Sequence, residues 1–144
     1  GEYAAEHPEN PVSEPEFSSW GEGGYAEVWL DGSNDWVHRH SHKAIERMVE
    51  LVDRFPNETG LRERILNQGA REALLTMSSD WPLLLRSGQS ASFARRQIED
   101  SISNFTRIYE MLCANTVDTE WLTNLEKRNN LFPEINYRVF ARKR

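Results

Sequence analysis

From Asp35 onward, inward-reading positions recur at three- and four-residue steps: Val37, His40, Ala44, Met48, Leu51 and Phe55, with Pro56 next. That spacing keeps one face of an α-helix together, and a proline cannot continue it. Asp35 is placed to cap the helix start. A second periodic stretch runs from about Glu58 to Met77, with Leu61, Ile65, Leu66, Ala70, Ala73, Leu74 and Met77 inward. Ser78-Ser79-Asp80-Trp81-Pro82 interrupts it, and because proline is tolerated in a first turn, Leu83–Leu85 read as a short helix ending near Gly88. The longest helix is predicted from about Ser90 to Ala114, on a stripe of Phe93, Ile98, Ile102, Phe105, Tyr109 and Leu112. Asp118 or Thr119 caps a last short helix through Trp121, Leu122 and Leu125. The tail that follows, Leu131-Phe132-Pro133 and Ile135 to Phe140, is apolar and reads as extended across the bundle. Strand alternation is nearly absent. The pattern predicts an all-α fold: a four- to five-helix bundle with an N-terminal aromatic/glycine-rich loop and an extended C-terminal tail.

Ahead of the helices the chain changes character twice. Residues 1–17, with Pro8, Pro11 and Pro15 among several glutamates, lack periodicity and read as a linker or extended arm. Between positions 18 and 36 fall three of the five tryptophans and four of the eight glycines. Each glycine inside a helix costs about 1 kcal/mol relative to alanine, so this stretch is a loop. Large aromatic faces on bare backbone suit a flat ligand such as a sugar ring.

The 144 residues fit a single domain. Residues 1–38 hold nine Asp/Glu and no Lys/Arg, which argues against nucleic acid as a ligand, since phosphate contacts need clustered cations. No apolar run reaches the roughly 18 residues that a membrane-spanning helix needs. The single cysteine, Cys113, excludes an internal disulfide and fits a reducing, cytoplasmic setting. The first residues carry neither a basic nor an apolar signal region, so no secretory route is expected. A chain opening with Gly and a Pro/Glu-rich stretch is expected to be a piece joined to something upstream.

Candidate chemistry centres on the aromatics. Trp20 and Trp29 lie within the glycine-rich loop and read as ligand contacts, since loops carry function disproportionately. Trp36, at a helix start, reads more simply as packing, with sugar contact as the other reading. Ser78, Ser79, Asp80 and Trp81 form a second polar–aromatic knot: a capped helix break, or a place where Asp80 meets ligand hydroxyls beside Trp81. His38 and His42 share a helix face at a spacing some zinc sites use, but no third ligand is evident, and neither metal nor cofactor is expected. Glu22, Glu27, Asp31, Asp35 and Asp80 supply carboxyls, yet nothing in their spacing selects the facing pair, about 5–5.5 Å apart, of a retaining glycosidase. On these residues the chain is a binding module more than a complete catalyst, and no catalytic residue is assigned.

Ser18-Ser-Trp-Gly-Glu-Gly-Gly-Tyr, Val28-Trp-Leu, Asn34-Asp-Trp, Arg39-His-x-His-Lys, Ser78-Ser-Asp-Trp and the tail Asn-x-Phe-Pro-x-Ile-x-Tyr-Arg-Val ending at Val139 together resemble the C-terminal helical domain of glycoside hydrolase family 57 α-glucan branching enzymes. The match runs over roughly residues 17 to 141, with 18–144 as the domain. The resemblance implies that the catalytic Glu and Asp sit on an upstream (β/α)7 barrel absent from this chain. It further implies that this domain packs on that barrel and supplies Trp20, Trp29 and, less directly, Asp80 and Trp81 to a cleft for α-1,4-glucan such as amylose or glycogen; Ser79 and Trp36 are further candidate substrate contacts. The parent reaction would be retaining transfer to a 6-hydroxyl, as in glycogen biosynthesis. Two alternatives stay open: a helical bundle that docks a barrel without touching sugar, and the same domain in a 4-α-glucanotransferase or amylase of the family.

Overall fold

The computed structural model describes residues 2–9, 12–88 and 90–142; Gly1, Asn10 and Pro11 of the expected arm, Gln89 before the long helix, and Lys143 and Arg144 lie outside these. Six helices occur among the described residues and no strand: α1 (Glu2–Glu6), α2 (Asp35–Arg54), α3 (Gly60–Thr76), α4 (Asp80–Ser87), α5 (Ala91–Ala114) and α6 (Thr119–Arg128). The all-α class read from the sequence is correct.

Helices α2, α3 and α5 pack on one another and form the centre of the bundle. Met48 and Leu51 of α2, Ile65 and Leu66 of α3, and Phe105 and Ile108 of α5 are fully buried or nearly so. Each such side chain contributes roughly 1.5–3 kcal/mol of transfer free energy. At Gly69 on α3 the helices approach so closely that a Cβ would lie 3.2 Å from Ile108 Cγ2. Leu122 and Leu125 of α6 close one end of this core, and α4 lies along α5.

Helix boundaries follow the expected stops with small shifts. Helix α2 begins at Asp35, as expected, but Asp35 is its first helical residue and Asn34 stands at the cap. The carboxylate of Asp31 caps the preceding 3-10 turn instead, accepting from the Ser33 amide. Asp118 does cap α6, accepting from the Trp121 amide. Four positions expected inward are exposed: His40 on α2, Leu61 on α3, Met77 just past it and Phe93 on α5. The α2 seam is completed by Ser41, buried because its hydroxyl donates to the Thr76 carbonyl at 2.9 Å.

The tail is anchored by polar contacts and closes in a 3-10 turn, Tyr137–Phe140, where an extended run was expected. Arg71 on α3 reaches the carbonyls of Leu131 and Pro133 at 2.9 and 2.8 Å. Tyr137, fully buried, donates its hydroxyl to the Phe55 carbonyl at 2.6 Å. Arg138 grips the Pro56 and Glu58 carbonyls, so the α2–α3 turn and the tail hold each other. At the other end, no residue of α1 is buried.

Candidate functional site

The aromatic loop is held by hydrogen bonds at both of its ends. The Ser19 amide donates to the Gly24 carbonyl at 2.7 Å, and the Ala26 amide to Ser19 Oγ at 2.7 Å, closing the glycine turn. The Trp29 and Leu30 amides both donate to the Ala26 carbonyl at 2.9 Å. Buried Asn34 donates through Nδ2 to the Val28 carbonyl at 2.8 Å, and His38 Nε2 donates to the Trp29 carbonyl at 2.7 Å. From α4, Arg86 reaches the Glu27 carbonyl at 2.6 Å and lies 3.8 Å from Asp31 Oδ2. The hydroxyl and then the amide of Ser33, with a smaller contribution from Arg86, hold the Asp31 carboxyl below the usual carboxylate range. A loop tied to α2 and α4 in this way presents its side chains without ordering them first.

Trp20 and Trp29 meet edge to face, ring centroids 5.4 Å apart at 74°. Trp20 is 72% exposed, whereas Trp29 is half-buried with its indole Nε1 donating to the Ser79 carbonyl at 3.1 Å. One ring is thus fixed and the other leans on it toward solvent, with Tyr25 and Leu30 exposed on the same loop. Beside Trp29 lies an open hollow of about 180 Å³ lined by His38, Ser41, His42, Met77, Ser78 and Ser79, among others. That is smaller than the ~300 Å³ typical of pockets that enclose a small molecule.

The structure gathers Trp20, Trp29 and Ser79 at this surface, with Asp80 exposed one residue on, in the first turn of α4. It does not bring Trp36 or Trp81 to the same hollow. The Trp36 ring lies under the Arg95 guanidinium, 5.1 Å to its centroid, and meets His40 edge-on at 6.4 Å. Trp81 turns toward α5: its Nε1 donates to the Leu75 carbonyl at 2.6 Å, and its ring meets Phe93 at 6.5 Å. Among the described residues no three His, Cys, Asp or Glu side chains converge as a metal site would need. His38 serves the loop backbone. Sequence reasoning missed Asn34, Arg86 and Ser41, whose roles depend on backbone groups that no side-chain pattern marks.

The described residues thus define an all-α helical bundle with a hydrogen-bonded aromatic loop on its surface. Residues 40–140 match the family described as 1,4-alpha-glucan branching enzyme, C-terminal, and the chain belongs to that family, the C-terminal domain of glycoside hydrolase family 57 branching enzymes. The 1,4-alpha-glucan branching enzyme of Thermococcus kodakarensis is 33% identical over 138 residues, covering 93% of this chain and 20% of that protein. The crystal structure of the GH57-type branching enzyme of Pyrococcus horikoshii superposes with a TM-score of 0.86 at 28% identity, covering 99% of this chain and 28% of that one. An alpha-amylase, AmyC of Thermotoga maritima, superposes at 0.70 with 35% identity, covering 84% of this chain and 23% of that one. The chain therefore spans about a fifth of the length of the curated branching enzyme. No helix among the described residues is long and apolar enough to cross a membrane.

Proposed function

We propose that residues 18–144 form the C-terminal domain of a cytoplasmic α-glucan branching enzyme, with residues 1–17 as the arm leading to a catalytic barrel on which the domain packs. In this reading Trp20 and Trp29 form part of the wall of a cleft for α-1,4-glucan, and the reacting carboxylates stand on the barrel. The parent enzyme makes α-1,6 branches in a glycogen-like glucan by a retaining mechanism. This domain alone has no cleavage activity.

The observation that carries the reading is the pairing of an exposed Trp20 with a Trp29 whose ring orientation is fixed by Ser79. Sugar rings present C–H faces to indoles, and by analogy with aromatic pairs each stacked ring contributes on the order of 1 kcal/mol. A transferase must favour a sugar hydroxyl over water, and an apolar wall that excludes solvent and holds the acceptor chain serves that end. Asp80, exposed beside Ser79, offers a carboxylate to sugar hydroxyls at the rim.

The likeness to an alpha-amylase favours a second reading, in which the same domain closes the cleft of a hydrolase or 4-α-glucanotransferase. Rejoined to its barrel, the domain yields α-1,6 linkages from amylose in the first case and only α-1,4 products in the second. The test of sugar contact is simpler. Tryptophan fluorescence of the chain is followed during titration with maltoheptaose, for the native protein and for Trp20→Ala. A change that is reduced in the variant, with helical circular dichroism intact, supports direct contact at Trp20. No change at millimolar maltoheptaose leaves the exposed rings as a docking surface for the barrel and defeats the cleft reading.

A further inference from the structure

We propose that the hollow around Trp81, between α4, α5 and the end of α6, is a second α-glucan contact on a face separate from the Trp20–Trp29 surface. The choice of α-1,4-glucan as ligand rests on the function proposed above; the existence of the site rests on its own geometry. The hollow measures about 320 Å³ and is bounded by Trp81, Gln97, Asp100, Ser101, Arg128 and Asn129, with Leu75 behind. It shares no lining residue with the hollow beside Trp29. Its volume falls within the range of small-ligand sites, roughly 300–1,000 Å³.

The indole is set in place before any ligand arrives. Its N–H is used on the Leu75 carbonyl and its ring abuts Phe93, so Trp81 contributes carbon surface and no free donor. Around it, Gln97, Asp100 and Arg128 are exposed, and their side chains form no hydrogen bond or ion pair with another described residue, though the Arg128 charge acts on Glu72. Behind them Asn129 is fixed by Nδ2 bonds of 2.9 and 3.1 Å to buried Glu72, giving the hollow a rigid floor.

These groups select a ligand class. A carboxylate accepts from two neighbouring hydroxyls, a guanidinium donates to hydroxyl and ring oxygens, a carboxamide does either, and the indole covers a C–H face. A phosphate ligand would meet the Asp100 carboxylate as a like charge. A wholly apolar ligand would strip water from Asp100 and Arg128 without replacing it. A hydroxyl-rich ring with one apolar face satisfies all four.

The test uses the five indole N–H signals of the 15N-labelled chain, each assigned to its residue, during titration with maltoheptaose. In the native protein the Trp81 signal shifts. In the double variant Asp100→Ala/Arg128→Ala, both positions exposed and the fold checked by circular dichroism, the affinity read from Trp81 falls about tenfold. The Trp20 and Trp29 signals respond as in the native chain. A Trp81 signal that never moves, or moves equally in the double variant, overturns the site. An equal response to cellopentaose overturns its assignment to α-glucan. Silence of Trp20 and Trp29 while Trp81 responds supports this site and defeats the cleft reading instead, so the two proposals fail separately.

Discussion

The indole N–H of Trp29 donates to the backbone carbonyl of Ser79 at 3.1 Å, joining positions fifty residues apart. Trp29's own carbonyl accepts from His38 on α2 at 2.7 Å. Ring and backbone are therefore fixed by two different elements, and Trp20 leans on the result. Trp29→Phe keeps an aromatic face and removes the donor. Near the surface such a bond is worth about 0.5–1 kcal/mol net, so urea denaturation should show a loss of that size. The maltoheptaose response of Trp20 should weaken more than this loss implies, because an untied ring no longer sets its neighbour. A variant with native stability and native response would show that the Ser79 bond has no part in orienting the wall.

Gly21, directly after Trp20, adopts φ +102° and ψ −166°, a region essentially closed to residues with a Cβ. A methyl there meets nothing within 4 Å, so Gly21→Ala acts on backbone conformation alone. The strain of roughly 1–3 kcal/mol is relieved by rearranging the loop, which is not part of the bundle core. Thermal unfolding followed by circular dichroism should change little, while Trp20 fluorescence and its response to maltoheptaose should change clearly. Gly32→Ala, also in open space but without a positive φ, is the matched control and should leave both readouts alone. Equal effects from the two substitutions would exclude backbone conformation as the cause.

Much of the bundle was legible because α2, α3 and α5 each carry an apolar face at helical spacing, and Pro56 and Asp118 mark ends by local chemistry alone. What escaped was polar burial. Ser41 sits where apolar periodicity pointed to His40, and its hydroxyl is acceptable in the core only because the Thr76 carbonyl takes it up. Glu72 is fully buried on α3, yet its partners Asn104 and Asn129 stand 32 and 57 residues away, and no local pattern announces them. The aromatic loop was recognisable from its glycines and tryptophans, whereas the separation of Trp81 from Trp29 was not. Neighbouring residues Ser79 and Trp81 face different hollows because the turn into α4 sends the Ser79 carbonyl toward the loop and the Trp81 ring toward α5.

Tyr137 is the pin of the tail. Its hydroxyl donates to the Phe55 carbonyl at 2.6 Å and accepts from the Glu58 amide at 3.2 Å, bridging the turn that joins α2 to α3. Its own amide donates to Asn67 Oδ1 at 2.9 Å. Tyr137→Phe preserves the packing and leaves the turn carbonyl and amide without their buried partner. The expected loss is about 1–3 kcal/mol by denaturant unfolding. Hydrogen exchange should quicken at Glu58 well before it quickens in the core of α3. Unaltered exchange at Glu58 would count against the bridge.

Glu72 gives the fold a pH dependence that can be separated from the surface charges. Its carboxylate accepts from Gln68 at 2.8 Å, Asn104 at 3.2 Å and Asn129 at 2.9 and 3.1 Å. Burial pushes its pKa above the ordinary 4.5, and the three amides, with the field of Arg128, pull back only part of that rise. Below 4.5 the group holds its proton in folded and unfolded chains alike. Between that value and the raised folded value, the unfolded chain has released the proton and the folded chain has kept it, so stability falls as pH rises. Above the folded value the loss is complete and constant. Glu72→Gln has no such proton to release. The stability of the native chain relative to this variant should therefore be flat in acid, move against the native chain as pH climbs from 4.5 to the raised folded value, and then level off. Urea denaturation of both proteins across this range measures it, and a difference independent of pH would exclude the raised carboxyl. Glu72→Ala removes the acceptor from three amide groups at once and should cost at least about 2 kcal/mol at every pH, since each buried donor left unpaired costs roughly 1–3 kcal/mol.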